Sequence, residues 1–462
     1  MTDVKKGRSR LINSETEARA LFKTAPAGVN GKIGLEVEMP LYRPGRTKPA
    51  TPTAAEILLI RDDLKARGYD PQMEASGVIE YASDPVALGD VAALVATAHK
   101  SIAAFEDAIA ARGVVRAPFC IVPTTTLREA FNNHGARERL DASLQALKAH
   151  NPAALNTPLL TTSVQTNFSP KSDAELFRMT CRGYALTPLL IAAMGSSSGY
   201  AENRRESRAG VHLRSLYYAA FGSASGIPRS FLTSTDAESF IRGHVAEVFD
   251  TPMFFAYAAD GTLVRAPKGE TLTFRKLTGK GLNTQSNYEL AETFRYTDIK
   301  IANIRNGDGE ALGKRVEVRA ADSGPHQPFS TLLLTAALIP DGPTADRFDA
   351  LLRDYGFSGT PAQDAALLLA ARKAAVEHGG RFMDVPFGTG NLRDFAADVA
   401  GLVSAHYAHD KTVAPDVAKL AGILLTGESD ARRHAAAYKS LRDVTRALQS
   451  APAPPLPQQK AV

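Results

Sequence analysis

Alternation of apolar and polar residues predicts a long β-strand near the start of the chain, over residues 32–42. The odd positions from Ile33 to Leu41 are all apolar, and they point to one side because successive side chains of a strand alternate between its faces. Glu36 and Glu38 share the other side with Gly34. The pattern therefore predicts a strand with one buried face and two carboxylates about 7 Å apart on the other.

Three further segments repeat this design, with a carboxylate or an amide on the face opposite the apolar residues. They are residues 78–82 with Glu80, residues 161–169 with Gln165 and Asn167, and residues 315–322 with Glu317 and Arg319. For any one of them, a solvated surface residue is the simpler explanation. Because the feature recurs on four strands, we expect a single sheet with one apolar face and one polar face.

Helical periodicity and end signals occur between and after these strands. The predicted helices cover residues 14–24, 54–67, 91–112 and 172–194, and an Ala- and Leu-rich helical part follows residue 327. We expect an α+β protein with a catalytic region over residues 1–330, a helical region over residues 331–450 packed on it, and a disordered Pro-rich tail over residues 451–462.

Composition narrows the class of protein. The 462 residues are 44% hydrophobic and 22% charged, with a net charge of +5 and a pI near 9.0. The basic residues are dispersed, which fits small anionic substrates at least as well as nucleic acid, so no nucleic-acid partner is expected. Cys120 and Cys181 are far apart, which argues against a disulfide framework or a thiolate zinc site.

No targeting or membrane signal is evident. The N-terminal residues lack an apolar segment, and no run of about 18 apolar residues occurs. We expect a cytoplasmic protein with no membrane partner.

The recurring polar positions suggest a metal site. Glu36, Glu38, Glu80 and Glu317, with Gln165 added, offer the hard oxygen ligands that Mg²⁺ or Mn²⁺ prefers. Transfer of a phosphoryl group also needs positive charge on the phosphate. Candidates for that charge are Arg214 and Arg319, with Arg204, Arg205 and Arg208 in reserve. No P-loop motif and no GxGxxG after a strand is present, which disfavours those two nucleotide-binding folds.

Seven short motifs, in order over residues 31–326, resemble those of one family. They are Gly34-Leu-Glu-Val-Glu38, Gly77-Val-Ile-Glu80-Tyr, Thr162-Ser-Val-Gln165-Thr-Asn-Phe-Ser169, Leu213-Arg214-Ser215, Asp250-Thr-Pro-Met-Phe-Phe-Ala-Tyr257, Thr273-Phe274-Arg275 and Val316-Glu317-Val-Arg319-Ala-Ala-Asp322. The sequence resembles the glutamate–cysteine ligases of plants and many proteobacteria. These belong to the carboxylate–amine ligases with a glutamine-synthetase-like fold.

The resemblance implies a curved antiparallel β-sheet funnel flanked by helices, glutamine-synthetase/guanido-kinase-like, of about six strands. It implies an ATP-dependent ligase that makes a γ-glutamyl amide from glutamate and cysteine through an acyl phosphate, as in glutathione biosynthesis. Small-molecule substrates and a monomer or homodimer are expected.

The resemblance also implies roles for individual residues. Those matching the family's metal ligands are Glu36, Glu38, Glu80, Gln165 and Glu317, which would hold Mg²⁺ or Mn²⁺. Arg214, Gln165 and Asn167 would bind substrate, Arg319, Arg275 and Lys276 the nucleotide, and Arg214 and Arg319 would be catalytic.

One loop departs from the family pattern. After Asp322 the family continues Gly-Gly-Pro-Trp-Arg-Arg, whereas this chain has Ser-Gly-Pro-His326-Gln-Pro. Two alternatives therefore stay open: a natural-product ligase with a non-cysteine acceptor amine, and a divergent non-catalytic nucleotide-binding protein.

Overall fold

A computed structural model describes residues 10–45, 48–74, 77–133, 138–206, 212–266, 270–325, 327–378 and 385–450. The helices are α1 (Glu15–Arg19), α2 (Ala54–Ala66), α3 (Val91–Ala110), α4 (Leu127–Asn132), α5 (Glu138–His150), α6 (Asn156–Leu160), α7 (Asp173–Ala193), α8 (Leu213–Tyr218), α9 (Arg229–Leu232), α10 (Ala237–Asp250), α11 (Phe274–Leu277), α12 (Gln285–Thr293), α13 (Gln327–Leu338), α14 (Pro343–Asp354), α15 (Pro361–His378), α16 (Leu392–His406), α17 (Ala414–Thr426), α18 (Asp430–Ala437) and α19 (Leu441–Gln449). Three short 3₁₀ helices cover Leu88–Asp90, Pro152–Leu155 and Ala219–Ala224.

Most strands are short, and three are long. The strands are β1 (Lys32–Tyr42), β2 (Gln72–Met73), β3 (Val78–Ala82), β4 (Val86–Ala87), β5 (Val115–Arg116), β6 (Ser163–Phe168), β7 (Tyr200–Ala201), β8 (Arg204–Arg205), β9 (Ser225–Gly226), β10 (Pro252–Met253), β11 (Phe255–Tyr257), β12 (Leu263–Arg265), β13 (Leu272–Thr273), β14 (Tyr296–Thr297), β15 (Ile299–Arg305), β16 (Ala311–Asp322), β17 (Pro386–Phe387) and β18 (Gly390–Asn391).

The main sheet has eight strands in the order β15-β16-β6-β1-β3-β2, with β4 and β5 pairing with opposite ends of β1. Every pairing in it is antiparallel. The predicted α+β class, with a curved antiparallel sheet flanked by helices, is confirmed. β1 lies in the middle because its apolar row is buried along the whole strand.

The apolar face of the sheet forms the largest hydrophobic core. The apolar residues of β1 at the odd positions from Ile33 to Leu41 join Ile79, Phe168 and Val316 from neighbouring strands. All of these side chains are at most 1% exposed. Helices α3, α7 and α13 pack on this face, followed by the helices from α14 to α17. One covered face leaves the other free for polar residues.

Helices α7 and α3 each have a notable sequence feature. α7 continues through Pro188, as the sequence predicted. α3 belongs to a segment, Leu88–Ala110, that is long and apolar enough to meet a length-and-composition criterion for a membrane span. Its apolar residues, such as Leu94 and Val95, belong to the core under the sheet, which is typical of a core helix in a globular protein.

The strand and helix predictions differ from the structure at several places. The strand β15 was not predicted from the sequence. The predicted first helix over residues 14–24 is shorter, although Ser14 caps it as expected. The tail over residues 451–462 lies outside the described residues, and so do Arg208 and His326.

Candidate active site

The polar residues predicted on separate strands lie on one face of the main sheet. Glu38 is directly opposite Glu80 on β3, Glu36 is opposite Gln165 on β6, and Asn167 is opposite Glu317 on β16. Directly opposed residues of antiparallel strands point to the same side. We call this set, together with Lys300, Arg315 and Arg319, the charged face.

A β-bulge shapes the charged face. The register between β16 and β6 shifts by one residue between Val318 and Ala321. Bulges bend a strand and redirect its side chains. After the shift, Asp322 is opposite Ser163 and so lies on the same face as Glu317, although the two residues are five positions apart.

One side of the charged face is acidic. Glu38 accepts hydrogen bonds from the backbone amide of Ser163 (2.5 Å), the Ser163 hydroxyl (3.0 Å) and the Gln165 amide (3.1 Å). Burial, with the neighbouring Glu74, raises the pKa of Glu38, although Arg214 and Arg319 partly offset this. Burial also raises the pKa of Glu80 well above its usual value, helped by Glu36, Glu74 and Glu38. Burial and the neighbouring carboxylates therefore both disfavour the charged forms of Glu38 and Glu80.

The other side of the charged face is basic. Arg315 Nη2 lies 2.9 Å from Glu317 Oε2 and 3.3 Å from Glu36 Oε1. Arg319 Nη1 also pairs with Glu317. Burial opposes ionisation of Glu317, but Arg319 and Arg315 outweigh it and hold the pKa of that carboxyl far below its usual value. The pKa of Glu36 is raised, chiefly by burial, despite its contact with Arg315.

Lys300 adds to the basic side and was missed by the sequence reasoning. It lies on β15 directly opposite Glu317, and its charge contributes to the lowered pKa of Glu317. The sequence did contain a signal for Lys300. Ile299 and Ile301 flank Lys300 and are buried in the core, so the alternation of apolar and polar residues continues through residues 299–302.

Arg214 is brought to the same strand by the short helix α8. Its Nη1 donates to the carbonyl oxygen of Arg319, and its guanidinium lies 4.6 Å from the centre of the Tyr218 ring. Arg214 is 2% exposed. Arg214 and Arg319 are thus neighbours, as expected if both act in one site.

A buried pair anchors α8, and no sequence pattern predicted this pair. His212 Nε2 lies 2.9 Å from Asp322 Oδ1, while His212 Nδ1 accepts a hydrogen bond from the backbone amide of Ser215 and caps the helix. Burial tends to raise the pKa of Asp322, but His212 outweighs it and the pKa is lowered.

Four predicted basic residues are not joined to the charged face by any contact observed among the described residues. Arg275 pairs with Asp250 and Glu15, and Lys276 donates to the carbonyl of Thr271. Arg204 and Arg205 form an exposed two-residue strand. Their predicted roles with nucleotide or phosphate gain no support from these positions and stay predictions.

The donor chemistry of the charged face fits magnesium. Glu38 and Glu80 are opposed carboxylates with raised pKa values, and the side-chain oxygen of Asn167 is buried without a hydrogen-bond partner. Across the described part of the chain, no three His, Cys, Asp or Glu side chains are grouped closely enough to hold a metal ion. A nucleotide site does not require such a group, because Mg²⁺ usually takes one or two carboxylates together with phosphates and water.

Comparisons with known proteins give the fold little further context. No protein-family model and no curated protein matches the sequence. Among solved structures, the chain is similar to a bifunctional glutathione synthetase from Pasteurella multocida, with 11% identity and a TM-score of 0.47 over 94% of this chain and 53% of that one. It is also similar to a novel glutamine synthase homolog, with 11% identity and a TM-score of 0.30 over 90% of this chain and 70% of that one. The chain spans about half the length of the first of these. Similarities this low support no conclusion about activity.

Proposed function

We propose that this protein is an ATP-dependent carboxylate–amine ligase that joins an acid, glutamate in the first instance, to an amine. The observation that carries the proposal is the division of charge across one sheet face. Glu38 and Glu80 lie at one side, and Arg315, Arg319 and Lys300 lie at the other. A site that brings a metal–nucleotide and an acid together needs both kinds of charge, because phosphates and carboxylates are anions while the metal is a cation.

The residues take complementary roles in this proposal. Glu38 and Glu80 would hold Mg²⁺ beside Gln165, while Glu36 and Glu317, which the family resemblance also implies as ligands, are paired with Arg315. When bound, the metal would neutralise the oxygens of the transferring phosphate. Arg319 would contact that phosphate, since its Nε is buried without a partner.

Arg214 would bind the carboxylate of the acid substrate. Its guanidinium is held between the Arg319 carbonyl and the Tyr218 ring, so it is oriented before substrate arrives. A fixed guanidinium suits a carboxylate because its N–H donors match the two oxygens.

The chemistry proceeds in two displacement steps. A carboxylate oxygen of the acid attacks the γ-phosphorus of ATP, and the bond to the β–γ bridging oxygen breaks, so that ADP leaves with the electron pair. The amine nitrogen then attacks the acyl carbon of the acyl phosphate. The carbon–oxygen bond to phosphate breaks, the nitrogen loses a proton to solvent, and the products are the amide, ADP and phosphate.

The test is a direct assay of the purified protein with ATP, Mg²⁺, glutamate and a panel of amines that includes cysteine. ADP release and product mass are measured together, because mass identifies the acceptor. Glu38→Gln should lower turnover by about 100-fold or more, since it removes a charge from the proposed metal site. Glu238→Gln is the matched control, as Glu238 is 63% exposed and pairs with Arg19 on the surface.

Two outcomes would contradict the proposal. One is the absence of an amide product with every amine and with several acids in place of glutamate. The other is turnover in Glu38→Gln equal to that of the wild type. An amide with an amine other than cysteine would keep the ligase proposal and correct the acceptor.

A further inference from the structure

Arg315 makes an unusual contact on the charged face. It extends from β16 across the intervening strand β6 to Glu36 on β1. One nitrogen, Nη2, lies 2.9 Å from Glu317 Oε2 and 3.3 Å from Glu36 Oε1. A single positive charge therefore bridges two carboxylates on strands that are not neighbours.

Asn167 lies between these carboxylates on β6. Its Nδ2 donates to Glu36 Oε1 over 3.1 Å, and it is directly opposite Glu317. Its side-chain oxygen is buried without a partner. Glu36 and Glu317 thus supply oxygens to the Arg315 guanidinium, with Asn167 beside Glu36 on the same face, and oxygen is the ligand atom that Mg²⁺ and Mn²⁺ prefer.

The carboxylates on the acidic side of the charged face have different partners. Glu38 is held by the amide and hydroxyl of Ser163 and by Gln165, all of which are uncharged donors. Within the described ranges, the ion pairs of the charged face involve Glu36 and Glu317. Among the described residues, arginines therefore form ion pairs with Glu36 and Glu317 but not with Glu38 and Glu80.

We propose that Arg315 is an internal counter-ion that takes the position of a divalent cation between Glu36 and Glu317 and confines metal binding to the side of Glu38 and Glu80. A guanidinium N–H and a metal ion compete for the same carboxylate lone pairs, so both cannot occupy this position. The inference rests on the proposed metal-dependent function, but it is measured without turnover.

The experiment counts bound Mn²⁺, used as the probe, by titrating the full-length protein without nucleotide and reading free Mn²⁺ by electron paramagnetic resonance. Arg315→Met should bind one more Mn²⁺ per chain than the wild type. Arg315→Lys keeps the positive charge and should leave the number unchanged. Arg372→Met is the matched control, because Arg372 pairs with the single carboxylate of Asp298 and its loss frees no second ligand.

Two further measurements exclude a trivial result. Adding Glu36→Gln to Arg315→Met should remove the extra Mn²⁺. The extra ion should also raise the thermal unfolding midpoint of Arg315→Met more than that of the wild type, because a ligand bound only to the folded state stabilises it. If Arg315→Met does not fold, Arg315→Gln removes the charge while retaining a hydrogen-bond donor.

Equal Mn²⁺ numbers in Arg315→Met, or in Arg315→Gln, and the wild type would overturn the inference, and so would a gain in Arg315→Lys. A gain of one Mn²⁺ in a protein that forms no amide would leave the inference standing and refute the proposed ligase. The two proposals therefore fail separately.

Discussion

Lys314 and Glu292 form a buried ion pair that allows a quantitative prediction about stability. Lys314 Nζ lies 2.6 Å and 2.8 Å from the two oxygens of Glu292, and their side chains are 3% and 4% exposed. Burial tends to raise the pKa of Glu292, but Lys314 and His244 outweigh it and the pKa falls to about 2 from an ordinary 4.5. The pair joins β16 to helix α12 behind the charged face.

The perturbation is Lys314→Met, which leaves Glu292 buried without its main partner. The lowered pKa of Glu292 corresponds to ~3 kcal/mol of stability at neutral pH, and removal of one partner of a buried pair costs ~3–5 kcal/mol in general. We expect Lys314→Met to lose ~3 kcal/mol in the free energy of unfolding. Lys373→Met, at a side chain that is 73% exposed, should lose almost nothing.

The same pair predicts a dependence on pH. Because the pKa of Glu292 is lower in the folded state, its contribution is fully present above the unfolded value near 4.5 and is lost as the pH falls through 2. At pH 3 the difference between the wild type and Lys314→Met should shrink to less than about half of its value at pH 7.

Denaturant titrations of both variants and the wild type at pH 7 and pH 3 measure this. A loss below about 1 kcal/mol at pH 7 would refute the reasoning, because a contribution of that size is typical of an exposed pair. A difference that stays constant from pH 7 to pH 3 would also refute it, because Lys314 would then have no effect on the pKa of Glu292 in the folded state.

Two other predictions concern residues that hold the scaffold. His212→Ala removes the main partner of the buried Asp322 carboxylate and leaves it the backbone amide of Ser196. We expect a loss of about 1–3 kcal/mol in a denaturant titration, partly recovered when Asp322→Asn is added; full stability of the single variant would contradict this. A methyl group at Gly313 would lie 2.4 Å from the backbone nitrogen of Ala25, so Gly313→Ala should lower the free energy of unfolding by about 1–3 kcal/mol. Gly89→Ala is the control, because Gly89 has open space around it. Equal unfolding curves for the two variants would show that the close approach is absent.

Local patterns predicted the strands that carry the carboxylates. The strand expected over residues 32–42 is the observed β1, Lys32–Tyr42, and Glu36 and Glu38 lie opposite its buried row. This succeeded because alternation in a strand depends only on neighbouring residues. For the same reason, Glu317 and Arg319 were correctly expected on one face.

Pairings between distant residues were not predictable in the same way. Arg315 lies two positions before Glu317, so the side of the strand to which it points was predictable. Its bridge to Glu36, however, requires the strand order β16-β6-β1. Arg275 belongs to a motif that resembles the same family, yet it pairs with Asp250 and Glu15. A sequence gives residue types and local periods, while the partners of a charge depend on which strands become neighbours.

The sequence alone therefore determined that this protein has strands with one apolar and one charged side, and which residues those sides carry. The tertiary structure decided how the charges combine. The bulge after Val318 turns Asp322 to the charged face, where it meets His212, and simple alternation from Glu317 would have pointed it the other way. The physical reason is that register between strands depends on the whole fold, and a shift of one residue reverses the side to which every following residue points.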